Sequence, residues 1–155
     1  MKELILLVHP MLGMIGIVGA VWAIVETLNA SQSNLFRIKI ASFVVAVSMF
    51  FTWIASGIFY VTYYAADKAI ILKGPWPFAH SFFMESKEHL FFITLVLSLL
   101  LPIIAQMKNI VSSKQTRILF VVVASLIIAS GMAIELAGAI ISLCVKVGLL
   151  TNGTI

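Results

Sequence analysis

The stretch LVHPMLGMIGIVGAVWAIVE, residues 7–26, contains two ionisable side chains, His9 and Glu26, and both lie near its ends. Between them runs an unbroken apolar segment with no charge and no turn signal after Pro10. With upstream residues from Leu4 it exceeds the ~20 helical residues that cross a ~30 Å hydrocarbon core. The run is too long for a cleaved signal segment, and more of the same kind follows.

Three further apolar stretches do follow, at 40–64, 90–105 with upstream residues, and 118–145. The chain of 155 residues is 62% hydrophobic and 10% charged, with mean hydropathy +1.15. That composition leaves too little polar surface to cover a water-soluble core. The sequence therefore predicts an all-α integral membrane protein, a single transmembrane domain over 1–155 with spans near 4–28, 37–66, 84–106 and 116–148. Short connections after the first and third spans make neighbours antiparallel, in an up-down-up-down four-helix bundle. No breaker separates Phe36 from Gly74-Pro75, so the second helix is expected to outrun the bilayer and protrude or bend along the interface. Tyr60, Tyr63, Tyr64 and Trp76 cluster there as an aromatic belt.

A single cysteine, Cys144, excludes an internal disulfide. The net charge of +4 is dispersed, with no basic cluster interleaved with aromatics, so lipid rather than nucleic acid is the expected partner. This topology puts Arg37, Lys39, Lys108, Lys114 and Arg117 on one face. Lys2, Lys68, Lys73, Lys87 and Lys146 lie on the other, so basic residues tie. We place the protein in the cell membrane, multi-pass, with termini and histidines outside.

All three histidines, His9, His80 and His89, fall on that terminal face. His9 enters about 7 Å below the edge of its span at 1.5 Å per residue. The third apolar run, 90–105, reaches only about 24 Å, so upstream residues must complete it and His89 is drawn to a similar depth. Helices one and three are diagonal in a square bundle, roughly 11–14 Å apart, a gap two imidazoles on one metal can span. Gly13, Gly16 and Ala20 follow His9 at +4, +7 and +11, one stripe of small residues with room for a flat macrocycle. The same stripe also suits close packing between transmembrane helices.

Two membrane histidines in a tight four-helix set, with glycines beside one, resemble the small b-type membrane cytochromes; HPMLGMIG around His9 and ESKEH before His89 carry the likeness. The resemblance implies one bis-histidine haem b per chain on His9 and His89, with Gly13 and Gly16 against the porphyrin. It also implies electron transfer between quinol or quinone and other membrane or peripheral redox subunits. His80 is a substitute ligand or borders a quinone site with Trp76 and Phe78. Glu85, four residues before His89, is positioned to hold its second ring nitrogen.

Glu135, in ASGMAIELAGAI, stands near the middle of the fourth span, where an ionisable group marks a functional site by default. Proton relay, a bond to a cofactor such as a quinone, and a link to another helix are all open to it. Three alternatives remain in view. A small multidrug exporter has its membrane glutamate in the first helix, not the fourth. Copper handling would draw on His9, Met11, Met14, His80, Met84, Glu85 and His89. A non-catalytic tetraspan subunit of a larger complex needs no site at all.

Overall fold

The computed structural model describes residues 1–151, and they are all helical apart from short connections. In order they form α1 (Lys2–Leu28), α2 (Leu35–Thr62), α3 (Tyr64–Lys73), a π-helical turn (Ala79–Met84), α4 (Glu85–Ala105) and α5 (Lys114–Thr151). Four segments are long and apolar enough to cross a bilayer: Lys2–Leu28, Leu35–Thr62, Ala79–Ala105 and Lys114–Thr151. The second of these stops four residues before the boundary expected at 66. Tyr63 leaves helical geometry at φ −125° and ψ −29°, and the chain resumes as the separate α3.

The four long helices form a ring in which α1 and α4 each touch α2 and α5, while α1 and α4 face each other across the diagonal. Glycines determine how closely α1 approaches. Gly16 lies against Met49 and Gly19 against Val45, so positions rise along α1 as they fall along α2. Gly13 meets Glu135 and Gly131 meets Ile17, the same opposed order along α1 and α5. These helices are therefore antiparallel neighbours packed through small residues, where backbones approach closely and dispersion contacts replace the hydrophobic drive lost in lipid.

The core is built largely from apolar side chains, among them Ala20, Ala23, Val45, Leu101, Ile104, Phe120 and Ile127, and toward the first and third connections it also buries Thr27, Asn34, Ser42, Ser98 and Thr116. Toward the termini Thr52 and Thr94 are buried, and Thr94 and Ser130 share a hydrogen bond across the α4–α5 seam at 2.7 Å. Thr52 donates to the Ser48 carbonyl one turn back, and the two protons of the Thr94–Ser130 pair serve their mutual bond and one carbonyl, that of Leu90 or of Leu126.

At 38 residues α5 is about 57 Å long, well beyond the hydrocarbon core. Its far end supports α3 and the π-helical turn. A second apolar cluster of Tyr64, Ile71, Ala79, Ile141 and Cys144 joins them. Gly148 allows the contact, since a Cβ there would stand 2.8 Å from Ile70 Cγ2 and 3.1 Å from the Ile70 carbonyl oxygen. Lys2 closes this end with an ion pair to buried Asp67 at 2.7 Å.

Candidate functional site

Three ionisable side chains from three helices gather in the half of the bundle nearer the termini: His9 on α1, Lys87 on α4 and Glu135 on α5. Glu135 Oε1 occupies the space a side chain on Gly13 would need, 2.6 Å from the position of a Cβ there. The Lys87 Nζ rests on Gly138 of α5, 3.0 Å from the corresponding point. Gly138 stands one turn beyond Glu135, so the ammonium and the carboxyl face the same stretch of α5. They feel each other's charge, as His9 feels that of Lys87. Among the described residues the only ion pairs within 4.0 Å are Lys2–Asp67 and Arg37–Glu26, so Lys87 and Glu135 stand near each other without touching. Both are partly buried.

Helical phase explains why α4 supplies a lysine here. Phe91, Thr94 and Ser98 form its buried stripe, and Lys87 precedes Phe91 by four residues, on that same stripe. His89 lies about 200° further round at 100° per residue, in line with exposed Phe92, Ile93 and Val96. The expected inward partner of His9 is therefore displaced: His89 is exposed and faces outward. Its Nδ1 donates to the Glu85 backbone carbonyl at 2.7 Å, the role foreseen for the Glu85 carboxylate. His9 is half-buried, donates from Nδ1 to the Ile5 carbonyl at 2.8 Å, and stacks on Phe59 with ring centroids 6.1 Å apart.

A porphyrin does not fit between α1 and α4 as they stand. Of the stripe Gly13, Gly16 and Ala20 expected to receive it, Gly13 is covered by Glu135 and Gly16 by Met49, and Ala20 is buried in the core. The space remaining among Gly13, Thr52, Thr94, Gly131 and Glu135 is about 10 Å³, the room of a single water. Nor do three His, Cys, Asp or Glu side chains converge on a metal-sized site among the described residues.

His80 sits in the π-helical turn, where its Nδ1 and the Tyr64 hydroxyl share a hydrogen bond at 3.0 Å. Tyr64 is buried, and burial is the main cause that holds its phenol well above the ordinary range; Tyr60, Glu88 and Asp67 act in the same direction. His80 therefore braces α3 and stands apart from the Lys87–Glu135 pair.

No protein-family model, curated protein or solved structure matches the chain.

Proposed function

We propose that this is a membrane-embedded proton-exchange subunit, in which Glu135 takes up and releases a proton at the face that bears the histidines. The observation that carries it is the meeting of Lys87 and Glu135 inside the bundle, next to each other and not locked in a direct ion pair. An ionisable couple inside the membrane is costly and is retained where charge has to change. Lys87 lends positive charge that stabilises the carboxylate, and a proton from water at the terminal face converts it to the neutral acid. His9, half-buried at the level of Lys87, is the natural intermediate carrier, since an imidazole can accept a proton at one ring nitrogen and donate from the other. Ile17, Phe120 and Ile127 are among the apolar side chains that separate the pair from the opposite face, and on this reading exchange is one-sided rather than a through-channel.

Infrared difference spectroscopy on the protein in sealed vesicles tests this. A pH jump on the histidine side is expected to change a protonated-carboxyl band that Glu135→Gln removes and His9→Phe slows. The vesicles should stay tight to protons. A pH-insensitive spectrum, or a band that survives Glu135→Gln, overturns the proposal.

An electron carrier on a b-type haem has one supporting observation. Both His9 and His89 spend Nδ1 on a backbone carbonyl, which leaves Nε2 free, the tautomer a metal ligand needs. With His89 outward, such a haem belongs at the outer surface against a partner redox subunit. A reduced-minus-oxidised visible spectrum decides between the two.

A further inference from the structure

We infer that the groove between α2 and α4 at the opposite face is a binding site for an anionic phospholipid. Its volume is about 280 Å³, and its walls are Lys39, Ile40, Phe43 and Val44 from α2 with Pro102 and Gln106 from the end of α4. Lys39 and Gln106 are exposed at the end nearest the connections, where a headgroup lies. Phe43 and Ile40 are exposed apolar surface running from there toward the bilayer centre, where an acyl chain lies. A cation and an amide donor at the top of an apolar slot match a phosphate diester with its chains, and basic pockets between transmembrane helices hold acidic lipid headgroups in this manner.

Charge around the groove favours an anionic occupant over a zwitterionic one. This face carries Arg37, Lys39, Lys108, Lys114 and Arg117 against a single acid, Glu26, which Arg37 already engages at 3.2 Å. Each face has one cation engaged by an acid, Arg37 by Glu26 and Lys2 by Asp67, and Lys87 is turned into the bundle, so the groove's face keeps the larger number of outward cations. On this proposal the groove lies in the anionic, cytoplasmic leaflet.

Native mass spectrometry of the detergent-solubilised protein, titrated with phosphatidylglycerol or phosphatidylcholine of identical chains, tests the site. Phosphatidylglycerol should be retained preferentially. Lys39→Gln should weaken it about fivefold, the equivalent of the ~1 kcal/mol that one basic residue is worth at an anionic surface. Lys39 is exposed and its side chain has no hydrogen bond or ion pair, so this change leaves the fold intact. Lys114→Gln, a cation on the same face outside the groove, should leave retention unchanged. Equal retention of both lipids, no effect of Lys39→Gln, or an equal effect of Lys114→Gln overturns the proposal. Displacement by millimolar inorganic phosphate also overturns it, since the site would then be one for free oxyanions.

Discussion

The Lys87 ammonium rests on Gly138, 3.0 Å from where a Cβ would be, and by doing so reaches across the α4–α5 seam to the level of Glu135. A lysine rooted in the first turn of α4 thereby supplies positive charge to a carboxyl group carried by the middle of α5. Neither side chain has an oppositely charged group within 4.0 Å among the described residues.

The pair should therefore be energetically coupled. Removing one member leaves the other alone inside the membrane, so Lys87→Met and Glu135→Leu should each destabilise the folded bundle by ~1–3 kcal/mol. The double replacement should cost less than the two added together, with a coupling of about 0.5–3 kcal/mol. Denaturant titration in mixed micelles measures it, and strict additivity would show that the two side chains act independently.

Gly13 tests whether the carboxyl needs the space it occupies. Gly13→Ala places a methyl group 2.6 Å from Glu135 Oε1, so the carboxyl must move. We expect a loss of ~1–3 kcal/mol from overpacking and a displaced Glu135 infrared band. Gly57 is the control, because a Cβ there meets nothing within 4 Å. Gly57→Ala should be neutral or gain up to ~1 kcal/mol from helix propensity. Equal effects at both positions would remove the local explanation.

Haem content is decided by a reduced-minus-oxidised visible spectrum with pyridine haemochrome quantification, on protein from haem-replete cells. The filled glycine stripe and outward His89 predict no haem bound within a single chain. An α-band at about one haem per chain that His9→Ala and His89→Ala both abolish would instead establish the cytochrome, and would require a haem held at the outer surface.

Tyr64 makes α3 docking sensitive to alkali. An exposed tyrosine ionises near pH 10, and burial keeps Tyr64 protonated well above that. Between those values the undocked state has lost its proton while the docked state retains it. By linkage, stability is fully present below about pH 10 and falls as pH rises further. Ultraviolet titration should show one phenol ionising after the others, together with release of α3. Tyr64→Phe should abolish both the late phase and its alkaline loss. A Tyr64 that titrates with the bulk tyrosines refutes the buried assignment.

Lipid solubility, helix class and span number follow from the sequence alone, because membrane crossing depends on length and apolar content, which are sums along the chain. Glu135 was legible for the same reason: one acid in an otherwise apolar run needs no neighbour to be noticed. Lys87 was legible too, had the stripe of Phe91, Thr94 and Ser98 been extended back by one turn. Depth alone favoured His89, and depth does not distinguish residues two positions apart that point about 200° away from each other. The stripe of Gly13, Gly16 and Ala20 marks a close approach without saying what approaches. Only the tertiary structure decided that Gly13 receives Glu135 and Gly16 receives Met49, since the occupants come from helices distant in sequence. Packing likewise decided that Lys87 turns inward and that Asp67 engages Lys2, because both partners come from elements distant in sequence.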